Sequence, residues 1–438
     1  MEGAPRRALP ARVAERAKMH LLDTLAAMIS GSRLLPGRRA IDFVRAQGGH
    51  PEACVIGSRI VTSAVNAALA NGMHGHADET DDTHYVARTH PGCAVVPAAL
   101  AMAEREGAGG AALLRAMVLG YDLCARTTRA LGLDKMRTAG FSTHSYGGAF
   151  GAAAAAGAIA RLDADQARYL LSFTAQQASG LSCWARDTEH VEKAFDFGGM
   201  PARNGVTAAL MVAMGSSGVD DAIYGHRGLL HAHAERAAPA RLTDGLGRDY
   251  EIMKTSIKRW PVGYPIQAPL DAVSNLVACY GVRGADVARV RVTIDPHGAY
   301  TVSGRKMSNI NIQHLVALML TDGEITFASA HDEVRATDPR VLRLKRRVEL
   351  VASPALLKAK TTQAIVEVAL RDGRRLRHHT RAVRGSADNP MSRDEVADKC
   401  RDLLVPVMRR PRVERLIQAV WRIERMRSVR ALRPLLQS

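Results

Sequence analysis

Apolar side chains recur at helical spacing through most of the first 255 residues. The segment Arg12–Ile29 places them three to four positions apart, which is typical of one buried helix face. Asp163 and Gln166 form a capping-box pattern ahead of a long helix that runs to about Gln177. The stretch Gly140–Gly151 is rich in glycine and predicts a loop that runs into an alanine-rich helix. The pattern therefore predicts a large all-helical domain.

The pattern changes near Pro261, where strand-like alternation joins the helical spacing. Val287–Ile294 alternates in its second half as a half-buried strand does, and Asp372-Gly373 lies between two further alternating runs, which predicts a hairpin. A capping box at Ser392 returns the chain to helix. The other elements predicted here are helices over Asn309–Thr321 and Asp332–Val341, a strand over Arg346–Val351, and hairpin strands over Thr362–Leu370 and Leu376–Ala382.

This order predicts a mainly α fold, with a large all-helical domain and a smaller inserted α+β lid domain. A chain of 438 residues exceeds a comfortable single core, so two domains are expected. We place the helical domain at residues 1–260, completed by 391–438, and the lid at residues 261–390. Such an arrangement favours an active site in the cleft between the domains.

Composition narrows the classes of protein. No apolar run reaches the roughly 18 residues that span a bilayer, and the charged N-terminus lacks the apolar stretch of a secretory signal, so no membrane partner is expected. The cysteines lie far apart without a CxxC pair, which argues against a zinc ribbon and a disulfide framework. These features predict a reduced, cytoplasmic protein. The cysteines are Cys54, Cys93, Cys124, Cys183, Cys279 and Cys400.

The formal net charge of +17 raises the question of a nucleic-acid partner. Many basic residues lie in the tail between Arg401 and Arg433, at helical spacing among apolar residues, which is typical of a solvated amphipathic face. Aromatic residues that could stack on bases are not interleaved with them. We therefore expect no nucleic-acid partner. A positive field that steers an anionic substrate fits the same charge.

The segment Asn71–Gly92 has the highest density of chemically active side chains. Carboxylates and imidazoles are the groups that transfer protons near neutral pH. A metal site built from His74, His76 and Asp78 is the first alternative, but their spacing matches no standard ligand pair, so no metal is expected. A serine hydrolase is disfavoured because no G-x-S-x-G occurs. The carboxylates are Asp78, Glu79, Asp81 and Asp82, and the histidines are His74, His76, His84 and His90.

Acid–base chemistry without a cofactor fits these residues better. Lysines that are partly buried have adjustable pKa values and can hold a carboxylate. Each candidate also has a structural interpretation: a hydrogen-bonding histidine, a surface lysine, or a helix-capping aspartate. The candidates on sequence alone are Asp81, Asp82, His84, His90, His144, Lys193 and Lys258.

Several short motifs, in this order and spacing, resemble the MmgE/PrpD family over essentially the whole chain. The resemblance implies a large helical domain with a smaller α+β lid, a homodimer, and no required metal or organic cofactor. It also implies dehydratase, decarboxylase or epimerase chemistry on small carboxylic acids. The motifs are Asp81-Asp-Thr-His84, Thr89-His-Pro-Gly92, Pro97-Ala-Ala-Leu100, Gly120-Tyr-Asp122, Gly148-Ala-Phe-Gly-Ala-Ala153 and Asp322-Gly-Glu-Ile-Thr326.

The resemblance also implies roles for particular residues, and the chain departs from the family at two places. The histidine often found at position 142 is Ser142 here, with His144 two residues later. The decarboxylase-type histidine is replaced by Gly263, with Tyr264 beside it, which disfavours a decarboxylase. Positions that match family site residues are Glu79, Thr83, His90, Lys193, Lys258 and the lid residue His314.

The resulting hypothesis is proton transfer at a carbon α to a carboxylate. Cations must hold the carboxylate and stabilise the enolate-like charge, a role for Lys193 and Lys258 with Arg186 or Arg203. His90, His144 or Asp81 then removes the proton. We expect a lyase of the hydratase/dehydratase type acting on a di- or tricarboxylic acid. An epimerase or isomerase, a decarboxylase and a non-catalytic anion-binding protein stay open. Asp82, His84, Tyr264 and His314 complete the predicted substrate-binding residues.

Overall fold

The computed structural model describes residues 7–233, 236–358 and 361–437. The chain forms two compact units, one comprising Met1–Thr255 with Val396–Ser438 and the other comprising Ser256–Glu395. Their limits lie a few residues from those predicted at 260 and 391. The mainly α fold with a smaller α+β unit is confirmed.

The first unit is helical in its described part, apart from a short antiparallel pair, β1 (Ala53–Cys54) and β2 (Val61–Thr62). Its helices up to Thr255 are α1 (Ala11–Gly31), α2 (Leu35–Gln47), α3 (Ala64–Gly75), α4 (Pro91–Arg105), α5 (Gly110–Leu131), α6 (Leu133–Thr138), α7 (Thr143–Ile159), α8 (Ala164–Gln177), α9 (Val191–Ala194), α10 (Met200–Ala213), α11 (Leu229–His233) and α12 (Ala240–Thr243).

Helix α1 is more deeply buried than its amphipathic pattern suggests. Its apolar residues lie in the core, and its polar residues Arg16, His20 and Asp23 are buried as well. These three follow one another at intervals of four and three residues, so they share a helix face. Because buried polar groups need partners, this face predicts a polar network at the centre of the unit.

The glycine-rich stretch that predicted a loop is largely helical, so that prediction was wrong. Helix α7 begins at Thr143 and contains Gly147, Gly148 and Gly151, while Gly140 lies before it. A Cβ atom added at Gly151 would lie 2.7 Å from the carbonyl oxygen of Gly120 in α5. The glycines therefore allow two helices to approach closely, a use of glycine that a turn-based interpretation misses.

The second unit contains a four-stranded sheet in the order β4-β3-β5-β6. The pair β3–β4 is parallel, and β3–β5 and β5–β6 are antiparallel. The predicted hairpin at Asp372-Gly373 is confirmed as the β5–β6 connection. The strands are β3 (Val287–Ile294), β4 (Val348–Ala352), β5 (Ala364–Leu370) and β6 (Arg375–Thr380).

Of the two helices predicted in this unit, the one over Asn309–Thr321 corresponds to α15 (Ile312–Asp322), and the other is divided; the remaining helices of the unit were not predicted. The single helix expected over Asp332–Val341 is two short helices, because Asp338 caps a new helix at Pro339. Proline favours the first turn of a helix over its interior. The helices are α13 (Tyr264–Tyr280), α14 (Pro296–Val302), α15 (Ile312–Asp322), α16 (Phe327–Ala330), α17 (Glu333–Thr337) and α18 (Pro339–Lys345).

The C-terminal segment is helical, as the capping box at Ser392 predicts. The amide of Glu395 donates to the Ser392 hydroxyl at 3.2 Å, and the Ser392 amide donates to the Glu395 carboxylate at 2.8 Å. From Val396 onward the segment belongs to the first unit. Its helices are α19 (Arg393–Leu404), α20 (Arg410–Trp421) and α21 (Arg433–Leu436).

Candidate active site

The connection between α3 and α4 carries most of the predicted site residues and is itself buried. Every residue from 76 to 84 is buried, and a backbone bridge joins His84 to Thr89. Helix α3 ends at Gly75, and α4 begins at Pro91. A buried connection must find partners for its polar groups inside the protein. The side-chain partners lie partly within the connection, as for Asp81 with His76 and His90, and partly on other elements of the first unit, as for Asp82 with His20.

Asp81 is the centre of the cluster. Its carboxylate accepts a hydrogen bond from Nδ1 of His76 at 3.0 Å, and Nδ1 of His90 lies 3.2 Å from both of its oxygens. The Thr83 hydroxyl lies 3.4 Å from the same His90 nitrogen. A carboxylate that accepts from Nδ1 fixes the tautomer and leaves Nε2 as the basic atom. Asp81 therefore prepares two imidazoles at once.

Lys193 brings a cation to this carboxylate–imidazole cluster. Its ammonium forms an ion pair with Glu79. The same Nζ atom lies 5.4 Å from the centre of the Trp184 ring and 5.2 Å from that of Phe197, within cation–π range. Glu79, Thr83 and Lys193, which the family resemblance singles out, thus lie with Asp81 in one unit.

A π-helical turn, Phe195–Gly199, follows α9 directly and places an aromatic ring among the histidines. The Phe197 ring stacks on His76 with ring centres 4.2 Å apart. A Cβ atom at Gly198 would lie 2.1 Å from the carbonyl oxygen of Gly72, so the turn approaches α3 at backbone distance. π-Helical turns are rare and are frequent at functional sites.

His144 reaches the same cluster although it lies two residues beyond the position expected from the family. It stacks on Phe197 with ring centres 3.7 Å apart, and its ring centre is 5.2 Å from that of His90. Ser142 occupies the expected position and donates instead to the buried carboxyl of Asp196. Burial raises the pKa of Asp196 to about 7 despite this hydrogen bond.

Burial sets the protonation of three of the cluster histidines. It lowers the pKa of His76 to about 4, even though Asp81 favours the charged form. Burial likewise lowers the pKa values of His144 and His190 well below the ordinary value, and neighbouring positive groups add to the effect. These three imidazoles are therefore neutral at pH 7 and available as bases or ligands.

Asp82 lies outside the cluster and holds the elements together. Nδ1 of His20 donates to it at 2.7 Å, the Tyr121 hydroxyl at 2.6 Å and the amide of Gly92 at 2.9 Å. Burial alone would raise the pKa of Asp82, but the hydrogen bonds from His20 and Tyr121 lower it. These hydrogen bonds anchor the start of α4 to α1 and α5, which makes Asp82 a positioning group; its predicted role in substrate binding stays a prediction.

A buried ion pair anchors the same connection from the C-terminal segment. Lys399 of α19 lies 2.6 Å from the Asp23 carboxylate and donates to the carbonyl oxygen of Thr80 at 2.8 Å. Burial raises the pKa of Asp23 to about 6, although Lys399 opposes that shift. The backbone next to Asp81 is thereby tied to α1 and α19.

His84 also forms hydrogen bonds that hold the connection in place. Its Nδ1 accepts from the amide of Ala87 at 3.1 Å, so Nε2 carries the proton and donates to Glu251 at 2.9 Å. Arg129 donates to the other oxygen of Glu251 at 2.8 Å. Burial would raise the pKa of Glu251, but His84 and nearby cations lower it to about 2. This pair closes the turn that precedes Thr89.

The two predicted arginines are not part of the cluster. Arg186 is exposed at the end of a short 3₁₀-helix, Ser182–Arg186. Arg203 stacks on Phe195 at 5.7 Å and donates to the side chain of Asn204. The substrate-binding role predicted for them gains no support from these contacts.

Lys258, Tyr264 and His314 belong to the second unit and are buried there. The Tyr264 hydroxyl lies 3.0 Å from the hydroxyl of Ser256. Burial, with the positive charge of nearby basic residues, lowers the pKa of His314 to about 4, and neither ring nitrogen has a hydrogen-bond partner among the described residues. Their predicted participation in one site with the histidine cluster stays a prediction.

The metal site considered from the sequence, with His74, His76 and Asp78 as ligands, does not form in the structure. His74 faces the carbonyl oxygen of Gly37 at 3.3 Å, and Asp78 accepts from the hydroxyl of Thr80 at 2.7 Å. Among the described residues, other histidines and carboxylates lie close enough to hold a metal ion. These groups are His76 with Asp81 and His90, and His76 with Glu79 and His190.

Four residues of the cluster are not among the acid–base residues predicted from the sequence. His76 was weighed there only as a metal ligand, and the other three are His190, Phe197 and Trp184. His190 carries a signal only in the structure, since its φ of 64° is left-handed, which is uncommon for a residue other than glycine. Phe197 follows Lys193 by four residues, the spacing of one helical face, so this neighbour could have been inferred.

The helical unit and its buried cluster define an enzyme equipped for acid–base chemistry. Comparison with known protein families identifies the kind of enzyme. The MmgE/PrpD N-terminal domain matches residues 1–241, and the MmgE/PrpD C-terminal domain matches residues 260–424. The chain belongs to the MmgE/PrpD family and is a lyase-type enzyme of that kind. No helix in the described residues is long and apolar enough to cross a membrane.

Two curated relatives are similar along nearly the whole chain. The cis-aconitate decarboxylase-like protein oryM of Aspergillus oryzae is 25% identical over 451 residues, which cover 95% of this chain and 91% of the relative. The cis-aconitate decarboxylase of Homo sapiens is 26% identical over 445 residues, which cover 97% of this chain and 90% of the relative.

Proposed function

We propose that the protein is a cofactor-independent lyase of the hydratase/dehydratase type. Its substrate is a small di- or tricarboxylic acid, from which it removes a proton α to a carboxylate. The observation that carries this proposal is the Asp81 carboxylate between His76 and His90, at 3.0 and 3.2 Å, next to the Lys193–Glu79 ion pair. A prepared base beside a cation is what α-proton removal requires.

Lys193 holds the substrate carboxylate in this proposal. A carbon next to an ionised carboxylate is a poor acid, and a cation on that carboxylate stabilises the enolate-like charge as it develops. The side chain of Lys193 is 15% exposed, so its ammonium is largely shielded from water. A charge in such surroundings acts more strongly than at a surface.

His90 is the proposed base, oriented by Asp81 and Thr83. Nε2 of His90 accepts the α proton while the electron pair of the C–H bond forms the carbon–carbon double bond. The C–O bond to the β-hydroxyl breaks, and the imidazolium returns the proton to the leaving oxygen as water departs. The lowered pKa values of His76 and His144 make them weak bases, which argues against either of them as the group that removes the α proton.

Decarboxylation is the second candidate because both curated relatives carry that activity in their names. The departure at Gly263, where decarboxylase-type members have a histidine, argues for the first candidate. Epimerisation shares the proton-removal step and returns the proton on the opposite face. The three reactions therefore differ in what leaves the substrate.

NMR of a panel of di- and tricarboxylates, incubated with the enzyme in D₂O, tests the proposal. Loss of water with a new alkene signal supports the dehydratase. Release of CO₂ favours the decarboxylase, and α-deuteration of an intact skeleton favours the epimerase. If no member of the panel changes under any of these criteria, the proposed function is refuted for that substrate class.

A variant pair tests the assigned roles. Lys193→Met removes the cation but keeps a long apolar stem, and we expect kcat/KM to fall by on the order of 10³-fold, since an electrostatic donor of this kind contributes about 10²–10³. His231→Gln alters an exposed histidine of the same unit and should leave turnover unchanged. If wild type and Lys193→Met were equally active, the proposed role of Lys193 in catalysis would be refuted.

The resemblance extends the proposal to a cytoplasmic homodimer that needs no nucleic-acid or membrane partner. Light scattering of the purified full chain gives its mass directly. A mass near twice 47.2 kDa supports the dimer, and a mass near 47.2 kDa contradicts it.

A further inference from the structure

We propose that His76, Glu79 and His190 bind one dication of the zinc class and that this ion inhibits the enzyme. The binding rests on the geometry of these side chains, while the inhibition also rests on the proposed function. The ion is a regulator or poison of the site and takes no part in the reaction.

The three residues offer a compact set of ligands. Their ligand atoms all lie within 4.8 Å of one another, and Nε2 of His190 lies 3.9 Å from Oε1 of Glu79. In a tetrahedral zinc site with metal–ligand bonds of about 2.0–2.1 Å, ligand atoms are roughly 3.3 Å apart. A closure of at most about 1.5 Å between side-chain atoms forms that geometry.

His76 is already oriented as a metal ligand would be. Its Nδ1 donates to Asp81 at 3.0 Å, while its Nε2 is buried and has no hydrogen-bond partner among the described residues. Metal-bound histidines usually donate their second ring nitrogen to a carboxylate, which fixes the ring and increases ligand basicity. The Asp81–His76 pair thus provides the outer part of such a site in advance.

His190 supplies the second nitrogen ligand. Its Nε2 is also buried without a hydrogen-bond partner among the described residues. The rings of His76 and His190 lie 5.2 Å apart, and both residues are at most 2% exposed. A buried polar atom without a partner is costly, so two of them beside one carboxylate point to a ligand. Burial keeps both imidazoles neutral, the form that binds a metal.

The donor set selects the class of ion. Imidazole nitrogens suit zinc, copper, nickel and cobalt, whereas magnesium and calcium prefer oxygen ligands. Two imidazoles and one carboxylate leave the fourth tetrahedral position for water. We therefore expect binding of Zn²⁺ and Co²⁺, and no measurable competition by Mg²⁺.

Inhibition follows from the groups that the ion would occupy. Glu79 is the partner of Lys193, so a dication on Glu79 repels the ammonium and displaces it. It also fixes His76, which shares Asp81 with the proposed base His90. Lys193 and Asp81 would then lose the arrangement that the reaction needs.

Metal binding to the purified full chain is measured by isothermal titration with Zn²⁺ and by the visible spectrum of the Co²⁺ form, both without substrate. We expect one ion per chain and a tetrahedral Co²⁺ spectrum. His190→Gln should weaken Zn²⁺ binding by at least about 100-fold, and Asp81→Asn by about 10–100-fold. His231→Gln is the matched control, because His231 and His226 form a separate pair 5.7 Å apart, and it should leave affinity unchanged.

Affinity that falls with His231→Gln and not with His190→Gln would overturn the proposal. Where His190→Gln does not fold, X-ray absorption of the wild-type Zn²⁺ form decides: two imidazole ligands support the site, and an all-oxygen shell refutes it. Reversal of Zn²⁺ inhibition by a chelator supports the second half of the proposal. Full turnover with the site occupied refutes that half and leaves the proposed reaction intact.

Discussion

Asp81→Asn is the substitution that separates orientation from packing in the cluster. Asparagine has nearly the same shape as aspartate but presents an amide N–H where the carboxylate presents an acceptor. Asp81 now accepts from His76 and His90 at 3.0 and 3.2 Å. An amide donor facing Nδ1 of His90 would move the imidazole proton to Nε2, and Nε2 could then no longer accept the α proton.

The size of the effect follows from this reversal of the tautomer. When a carboxylate that orients a catalytic histidine is replaced by its amide, the rate falls by on the order of 10⁴ with the geometry intact. Each tenfold loss corresponds to about 1.36 kcal/mol of barrier. We expect kcat to fall by about 10³–10⁴, or about 4–5.5 kcal/mol, because Thr83 still touches His90.

The assay measures kcat and KM on the substrate found by NMR, together with the melting temperature of each variant. Asp82→Asn is the matched control, since Asp82 is the next residue and is equally buried. Asp81→Asn should lower kcat strongly with little change in melting temperature. Asp82→Asn should mainly lower the melting temperature, with a smaller effect on kcat. If Asp81→Asn retained turnover within tenfold of wild type, the assignment of His90 as base would be refuted.

The other predictions concern the network that positions the cluster. Asp82→Asn, which replaces an ionised acceptor of three buried hydrogen bonds, should lower the free energy of unfolding by about 2–4 kcal/mol in urea titrations. Lys399→Met leaves Asp23 buried without its cation and should cost about 3–5 kcal/mol; adding Asp23→Leu should restore part of it, and strict additivity would contradict the pairing. The lowered pKa of Glu251 means that its ion pairs stabilise the fold above pH 4.5, and this contribution is lost as pH falls from about 4.5 to about 2. The melting-temperature difference between wild type and Glu251→Gln should therefore shrink over that interval, and a constant difference would count against this pairing.

Helical spacing, capping boxes and strand alternation were sufficient to predict the two units, the hairpin at Asp372-Gly373 and the return to helix at Ser392. These signals are local, since they depend on neighbours within four residues. The wrong prediction of a loop at Gly147 and Gly151 has a cause that is not local. Whether a glycine makes a turn or lets two helices meet depends on a distant partner that no local pattern reveals, here Cys124 for Gly147 and Gly120 for Gly151.

The candidate site was predictable to the extent that its residues are contiguous or match family motifs. Asp81 and His90 lie within ten positions of each other, so their proximity could be inferred. The separation of Asp81 from its neighbour Asp82 could not, because adjacent side chains in a loop point to different partners. His190 needed the tertiary structure, since nothing in its local sequence distinguishes it from a surface histidine.

Exchange of the substrate α proton with solvent, followed by proton NMR in D₂O, tests the proposed proton removal most directly. For wild type we predict loss of the α-proton signal or its elimination with water. For His90→Gln and Asp81→Asn we predict a rate lower by on the order of 10³ or more. If both variants exchanged the α proton as fast as the wild type, the proposed mechanism would be contradicted, because proton removal would then occur without the Asp81–His90 pair.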